Sequence, residues 1–424
     1  MSLHFSRLIL ERYKAFQQPC EIEVRPLTIL VGANNAGKSA LARAVPFLAG
    51  GLRANDPIPG SARLPLESFG LTHGTSFEDL IAGRSVHGSI RMNASFRSDG
   101  QELALTAEVQ NVVSPGEETQ QIVMQWGLGI AGGDRINIKR SGLDSDEHQI
   151  KVSQQGRKRE YRSRIRWAGL LPSLDERYPW ISESKWFRET LIALPRWAQG
   201  VRYLKSPRVI VDSPFRTPTT RPPSLSASGY EAPLMLATSD ELLREVQVWF
   251  LDTFGVKLDV RHQGNTSVLE VLQTPGHIPV SIAQAGQGLS HVLPVVIQSI
   301  TAAEAGAGVD ILEHPEAELH PRAHGGIADL IVSRLPGHER PLIVETHSEV
   351  LLLRIRRNVV EEKLNRDDVA IYWIGRNEEA ESATIRKVEI DANGEVINWP
   401  EGVFQEDYEE VVAIRREARR RAKQ

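Results

Sequence analysis

The chain has few of the features that mark secreted, membrane or disulfide-stabilised proteins. Its 424 residues contain one cysteine, Cys20, which excludes an intramolecular disulfide and is typical of a reducing compartment. No apolar run approaches the roughly 20 residues that a transmembrane helix needs, and the N-terminal segment lacks the pattern of a secretory signal. The formal net charge of -4 argues against a protein whose whole surface binds polyanions. We therefore expect a cytoplasmic protein with no membrane partner.

The chain does contain apolar strands that alternate with amphipathic helices near both ends. From Val280 onward this alternation is typical of a mostly parallel sheet. In between, segments such as 90-IRMNASF-96 and 103-LALTAEV-109 alternate with period two and predict half-buried strands. We expect an α/β fold with a mixed sheet and an inserted β-rich and helical subdomain. The predicted domains are an N-terminal lobe at 1–100, an arm at 101–275, a C-terminal lobe at 276–380 and an extension at 381–424.

The segment 32-GANNAGKS-39 matches the phosphate-binding loop G-x-x-x-x-G-K-[ST]. A strand leads into it and an apolar helix leads out, although Pro46 should kink or end that helix. Lys38 is expected to reach the terminal phosphates and Ser39 to place a hydroxyl on Mg²⁺. The alternative is a simple glycine-rich turn. The predicted ATP contacts of this segment are Gly32, Asn34, Asn35, Ala36, Gly37, Lys38, Ser39 and Ala40.

A second strand, within 309-VDILEHPEAELHP-321, ends in an acid that would complete the magnesium site. Magnesium takes oxygen ligands, and Glu313 follows the strand directly, whereas Asp310 would lie inside it. A strand-end acid that merely faces solvent is the alternative. His314 stands where P-loop ATPases usually have a second, catalytic acid. A neutral His314 could orient the attacking water, or Glu316 could act as the base.

A third strand, 341-PLIVETH-347, ends in a histidine. The carboxyl ends of parallel strands border the crevice where ligands bind. His347 is therefore predicted to donate a hydrogen bond to the terminal phosphate. The alternative is a histidine that only caps the following helix.

A second glycine turn precedes a strongly apolar helix in 283-AQAGQGLSHVLPVVIQSI-300. We expect Ser290 to cap this helix and Pro294 to fall in or just past its first turn. Because the chain has one phosphate-binding loop, this second anion site would meet the nucleotide of another copy. The alternative is an ordinary loop-to-helix junction. The predicted contacts are Gly286, Gln287, Gly288 and Ser290.

Three other patterns have weaker functional interpretations. The strip 156-GRKREYRSRIRW-167 could contact phosphates of DNA, although a solvated face or a protein contact is as good an interpretation. The tail 414-IRREARRRAKQ-424 is basic but typical of a frayed helix end. His314, His320 and His324 with Glu313 have some ligand spacing for zinc, but two prolines interrupt them.

Taken in order, the phosphate-binding loop, the glycine turn, the acid with 315-PE-316 and ETHS resemble the ABC-type ATPase head. The similarity is to the branch that contains RecF, the SMC proteins and the overcoming-lysogenisation-defect (OLD) ATPases. Nearest is a bacterial OLD-like family of AAA-type ATPases with a C-terminal domain of unknown function, matched also by 229-GYEAP-233 and 398-NWPEGVFQEDYEE-410. The resemblance implies a P-loop NTPase head, ATP and Mg²⁺ as cofactors, and a homodimer that sandwiches ATP. It also implies that Leu319, His320 and Pro321 touch the partner subunit.

Three functions remain open at this level. The first is a slowly hydrolysing ATPase switch that dimerises on ATP and gates a separate effector, such as a nuclease or toxin, in bacterial anti-phage defence. The second is a DNA-binding repair ATPase of the RecF and SMC kind. The third is an ATP-dependent structural scaffold with negligible turnover. The predicted catalytic residues are Glu313, His314, Glu316 and His347, and the predicted metal ligands are Ser39 and Glu313.

Overall fold

A computed structural model describes most of the chain. The described residues are 1–53, 57–59, 61–113, 119–174, 178–182, 184–209, 213–273, 278–335, 340–377 and 382–398. The basic tail at 414–424, and all but the first residue of the segment 398–410 that supported the family resemblance, lie outside them.

The helices and strands follow one another as listed here. The strands are β1 His4–Glu11, β2 Cys20–Glu23, β3 Leu27–Gly32, β4 Ile58–Pro59, β5 Glu67–Ser68, β6 Leu71–Thr72, β7 Ser89–Ser98, β8 Gln101–Val112, β9 Gln120–Ile130, β10 Arg135–Gly142, β11 Ser145–Gln154, β12 Arg157–Arg164, β13 Arg166–Ala168, β14 Leu171–Pro172, β15 Val201–Leu204, β16 Phe215–Arg216, β17 Val256–Gln263, β18 Thr266–Gln273, β19 Val280–Ser281, β20 Val309–Glu313, β21 Leu342–Glu345, β22 Val369–Asn377 and β23 Ser382–Val388. The helices are α1 Lys38–Leu52, α2 Pro179–Ser182, α3 Lys185–Gln199, α4 Ala232–Leu236, α5 Asp240–Phe254, α6 Gln287–Ile300, α7 Pro321–Ser333 and α8 Glu349–Val360.

The central sheet has the strand order β15-β20-β21-β3-β22-β23 and is parallel except for β23. Every residue of β3, β20 and β21 is buried, as expected for strands covered on both faces. Leu27, Ile29 and Val31 face a core formed with α5, α6, α7 and α8, whereas Leu30 faces the core that contains α1. The carboxyl ends of β20, β21 and β3 therefore meet at one edge.

An antiparallel sheet of order β12-β11-β10-β9-β8-β7-β1-β2 forms the second large layer. Its inward residues alternate with exposed ones, as in β10, and pack in the same core as α1 and α3. Trp126 and Trp197 are almost fully buried there. These tryptophans are core residues, because each large aromatic ring removes a large apolar area from water.

The predicted domain boundaries do not follow these sheets. A boundary between residues 100 and 101 cuts the hairpin of β7 and β8, whose strands pair along their whole length. The predicted arm also contains β15, which belongs to the central sheet, and the boundary at 380 separates the paired strands β22 and β23. The pairing of β15 with β20, which lies far along the chain, is a tertiary contact that local pattern does not reveal.

The expectation about Pro294 is wrong, because this proline is the eighth residue of α6 and lies beyond its first turn. Pro46 does not end α1, which continues to Leu52, and the predicted kink stays a prediction. Pro294 packs against Gly229, where an added Cβ would come within 2.6 Å of the proline ring. Tertiary packing thus holds helices that contain a proline. Among the described residues, no helix combines the length and apolarity that crossing a membrane requires.

Candidate nucleotide site

The phosphate-binding loop joins β3 to α1 at the carboxyl edge of the central sheet. A Cβ on Gly32 would lie 2.0 Å from the carbonyl oxygen of Ile374 on β22, so only glycine fits there. Lys38 is buried, and its Nζ donates to the carbonyl oxygens of Gly32 at 3.0 Å and Ala33 at 2.7 Å. Burial lowers the pKa of Lys38. The lysine is thus held inside the loop that it would share with a phosphate.

The start of α1 offers unpaired amides to an anion. Gly37 precedes the helix with a φ of 109°, and the Leu41 amide makes the first bond, to the Gly37 carbonyl at 3.0 Å. The preceding helical amides have no partner within the helix, and the first turn contains no acidic residue. Asn34 and Asn35 are exposed at the rim of the loop. The positive end of the helix dipole and the free amides together favour the binding of a phosphate at the start of α1.

Glu345, the last residue of β21, lies beside the Ser39 hydroxyl that is predicted to bind Mg²⁺. Ser39 Oγ donates to Glu345 Oε1 at 2.7 Å, and Glu345 Oε2 is buried without a hydrogen-bond partner. Burial raises the pKa of Glu345. Sequence reasoning missed this residue, although it ends the strand between those of the phosphate-binding loop and Glu313, and stands two residues before His347.

Glu313, the predicted magnesium acid, has a different environment. Its carboxylate accepts from Arg43 Nε at 2.8 Å, from Arg43 Nη2 at 3.2 Å, from the Ser206 amide at 3.1 Å and from the Tyr203 hydroxyl. Burial alone would lower the pKa of Arg43, but Glu313 and Tyr203 raise it overall. Glu313 is therefore a buried carboxylate whose oxygens already have partners. Its predicted role as a magnesium ligand stays a prediction.

His314 adopts a left-handed backbone conformation, with a φ of 41°. Its ring stacks on that of His347 with centroids 5.0 Å apart and an interplanar angle of 16°. His314 Nε2 lies 3.7 Å from Glu345 Oε1, and Nδ1 lies 4.0 Å from Glu316 Oε1. The structure thus brings His314, Glu316 and His347 together beside Glu345, which is also the register partner of Glu313 in the sheet.

Glu316 connects the two strand ends. Its Oε1 accepts from Thr346 Oγ1 at 2.6 Å and from the His347 amide at 3.2 Å, while its Oε2 is buried without a partner. Burial, Lys38 and His314 lower the pKa of His347 to about 4. His347 is therefore neutral near pH 7, with one ring nitrogen that donates and one that accepts.

Arg208 donates hydrogen bonds to the backbone at Glu313 and His314, and the sequence did not predict this role. Its Nη2 donates to the carbonyl oxygens of Glu313 at 2.6 Å and His314 at 3.2 Å. Burial lowers the pKa of Arg208 to about 10, although Glu316 and Glu313 oppose the shift. Arg208 lies in the loop after β15, where no sequence pattern marks it. Its two bonds hold the backbone at the strained His314.

The glycine turn before α6 differs in detail from the prediction. The helix begins at Gln287 after Gly286, which has a φ of 106°, so Ser290 is not the N-cap. Ser290 is buried and donates to the Ile282 carbonyl at 3.0 Å, which turns its hydroxyl away from solvent. Gly286 and Gln287 are exposed, and a Cβ on Gly288 would lie 2.5 Å from the Glu318 carbonyl. The turn is therefore fixed on the 314–320 loop with its first residues open to solvent.

The zinc interpretation has no support in the described part of the chain, where no group of three potential ligands occurs. His320 accepts from the Arg322 amide at 3.2 Å and so caps α7. His324 pairs with Ser348 Oγ at 2.7 Å. Both histidines have local structural partners.

A family profile described as a protein of unknown function (DUF3696) matches residues 364–412. No curated protein shows significant sequence similarity to the chain. Among solved structures, the SMC head bound to the C-winged helix domain of ScpA is 12% identical, with a TM-score of 0.48 and coverage of 92% of this chain and 98% of that one. The SMC head domain from Thermotoga maritima is 12% identical, with a TM-score of 0.42 and coverage of 91% and 100%. The Pyrococcus furiosus SMC head with an extended coiled coil, bound to the C-terminal domain of ScpA, is also 12% identical, with a TM-score of 0.45 and coverage of 98% and 100%.

The fold assignment rests on the chain's own geometry. The phosphate-binding loop follows β3, and β21 lies between β3 and β20 in a parallel sheet whose strand ends carry the site. The chain has the α/β fold of a P-loop NTPase with a mixed central sheet, as the sequence predicted.

Proposed function

We propose that the chain is an ATP-binding, slowly hydrolysing ABC-type ATPase switch. The observation that carries this proposal is the joint presence of a phosphate cradle and unsatisfied buried acids around it. Among the described residues, the buried carboxylate oxygens without a hydrogen-bond partner are Glu316 Oε2 and Glu345 Oε2, and both belong to this site. Buried polar groups normally have partners, so these atoms mark a place prepared for a ligand.

The residues present fit Mg-ATP. Lys38 would exchange the carbonyl oxygens of Gly32 and Ala33 for phosphate oxygens, and the first amides of α1 would bind the same phosphates. Ser39 with an acid beside it supplies the oxygen ligands that Mg²⁺ takes. When bound, Mg²⁺ would neutralise charge on the β- and γ-phosphate oxygens.

Turnover depends on how the attacking water is held. The stacked His314 and His347 rings form one wall of the site, and a neutral His347 can donate to the terminal phosphate. His314 takes the place of a catalytic acid, with Glu316 within 4.0 Å of its ring. Phosphoryl transfer rests mainly on positioning and charge neutralisation, so a weak base slows the reaction without abolishing it. Slow turnover is appropriate to a switch.

A second copy of the chain would complete the site. The exposed Gly286 and Gln287 at the start of α6 present amides suited to a phosphate, and one protomer has one phosphate-binding loop. We infer a homodimer in which each site takes Lys38 and Ser39 from one copy and the Gly286–Gly288 turn from the other.

Complementation tests the shared site. Lys38→Ala and Gln287→Glu should each hydrolyse ATP poorly as pure proteins. Lys38→Ala lacks the ammonium group that binds the phosphates, and Gln287→Glu adds a negative charge at the turn that would meet them. A mixture of the two contains dimers with one intact composite site, so part of the activity should return. Activity in Gln287→Glu equal to that of the unaltered protein, or no recovery in a mixture shown to form mixed dimers, would contradict the proposal.

The effector and its setting come from family resemblance. The ATP-closed dimer would gate a separate partner, such as a nuclease or toxin, in bacterial defence against phage. Copurification from its native cell with and without a non-hydrolysable ATP analogue tests this step. A partner that binds equally with and without nucleotide would contradict gating.

DNA binding is the second candidate, and the edge strand β12 favours it. This strand pairs with β11 on one side, and its residues Arg157–Arg164 are mostly exposed. Arg157, Arg159 and Tyr161 line a cavity of about 410 Å³ together with Trp180. If duplex DNA is the ligand, hydrolysis should rise with DNA at low salt and lose that stimulation at high salt. Equal rates with and without DNA leave the effector switch as the better account.

A further inference from the structure

The acids at the ends of β20 and β21 are direct neighbours in the parallel sheet. Glu313 and Glu345 are Cα partners in the register, so their side chains leave the same face. Both side chains are almost fully buried. Either acid could therefore serve a cation beside the phosphate-binding loop, and their hydrogen bonds distinguish them.

Both carboxylate oxygens of Glu313 already accept hydrogen bonds. Arg43 donates to both of its oxygens, and the Tyr203 hydroxyl and Ser206 amide add further bonds. Arg43 lies one helical turn beyond Ser39 on α1, so the ion pair ties that helix to β20 and β15. Recruiting Glu313 to a metal would break its ion pair with the half-buried Arg43, which carries a cost because the Glu313 carboxylate itself is buried.

Glu345 has the opposite balance. It accepts one side-chain bond, from Ser39 Oγ at 2.7 Å, and its Oε2 lacks a partner in the interior. His314 approaches Oε1 at 3.7 Å, which is longer than a hydrogen bond. A hydroxyl and an unsatisfied carboxylate side by side are the oxygen groups that bind Mg²⁺ directly or through its retained waters.

We propose that Glu345, together with Ser39, holds the magnesium ion of the nucleotide, and that Glu313 is a structural anchor for α1. This inference rests on the proposed ATP-binding function. It assigns the metal to the strand adjacent to the phosphate-binding loop rather than to the strand beyond it. The site takes a divalent cation bound to a nucleoside triphosphate.

Matched amide variants of the two acids test the assignment. The affinity of a fluorescent ATP analogue is measured by titration in excess EDTA, in Mg²⁺ and in Mn²⁺, for the unaltered protein, Glu345→Gln, Glu313→Gln, Ser39→Ala and Lys38→Ala. Manganese bound to the protein–ADP complex is counted separately by electron paramagnetic resonance. Thermal unfolding without nucleotide identifies any variant that does not fold.

The expected result is a selective loss of metal dependence. In Glu345→Gln, the gain in affinity from Mg²⁺ should fall about 10- to 100-fold, while affinity in EDTA is retained or improved because a negative charge near the phosphates is removed. Ser39→Ala should behave similarly. Glu313→Gln should keep the gain within about threefold but should unfold at a lower temperature, because Arg43 loses its ion pair.

Two results would contradict the proposal, and they can be told apart. If Glu345→Gln keeps the full gain in affinity from Mg²⁺ and still binds Mn²⁺, the assignment of the metal to Glu345 is wrong while ATP binding stands. The measurement on Glu345→Gln decides this assignment even if Glu313→Gln does not fold. If the unaltered protein and Lys38→Ala both fail to bind the analogue under every condition, the proposed function and this inference fall together.

Discussion

Two buried acids in the central sheet show opposite relations to their surroundings. Asp310, near the amino end of β20, accepts from Arg202 at 2.8 Å, from Arg334 at 2.7 Å and from Arg340 at 2.7 Å. Glu345, at the carboxyl end of β21, has one hydroxyl donor and an oxygen with no partner. Three guanidinium groups thus surround Asp310, whereas Glu345 accepts a side-chain hydrogen bond from a neutral hydroxyl. The difference separates a carboxylate that holds the fold from one prepared for a ligand.

The largest expected effect is on stability at Asp310. Asp310→Ala leaves three guanidinium groups, two of them buried, without their carboxylate and should lower the free energy of unfolding by about 3–5 kcal/mol. Denaturant unfolding measures the change. Glu189→Ala is the control, because that acid is exposed on α3 in its i,i+4 pair with Lys185 and should cost less than about 1 kcal/mol. Equal costs at the two positions would remove the basis of the comparison.

Hydrolysis provides the next largest test, at the loop beside Glu345. His314→Ala and Glu316→Gln should each slow steady-state ATP hydrolysis, with about a 100-fold loss at the residue that holds the water. Glu318→Gln, an exposed change in the same loop, should leave the rate unchanged. If both His314→Ala and Glu316→Gln turn over at the original rate, the base lies elsewhere.

The pH dependence of stability should also reflect Asp310. Burial alone would raise its pKa, but Arg202, Arg334 and Arg340 hold it well below the usual value near 4. Its stabilising contribution is therefore complete above about pH 5 and is lost as the pH falls below 4 toward the folded-state pKa. Unfolding curves from pH 7 to pH 3 should fall more steeply for the unaltered protein than for Asp310→Asn. Parallel curves would show that Asp310 does not titrate as this account requires.

The smallest expected effect sharpens the comparison from the other side. Glu345→Gln removes a poorly satisfied buried charge and retains an oxygen that can accept from Ser39. Without nucleotide, the free energy of unfolding should be unchanged or higher by up to about 1 kcal/mol. A loss of several kcal/mol in denaturant unfolding would show that Glu345 supports the fold as Asp310 does.

The sequence predicted what depends on local pattern. The phosphate-binding loop, the strand that carries Glu313 and the apolar helix that ends at Ile300 are visible in spacing and periodicity, and the structure confirms these elements. Glu345, Arg43 and Arg208 were missed because their importance comes from strand order and from side chains distant in sequence. Ser290 was misplaced as a cap because the hydroxyl donates to Ile282, a contact that helix-capping preferences do not encode.

The central claim is that ATP joins two copies through the exposed turn before α6. Sedimentation velocity of the unaltered protein and Gln287→Glu, each with Mg²⁺ and a non-hydrolysable ATP analogue, tests it directly. The account predicts a nucleotide-dependent dimer for the unaltered protein and a nucleotide-bound monomer for Gln287→Glu. An unaltered protein that remains a monomer while saturated with nucleotide, or a variant that dimerises equally well, would contradict the claim.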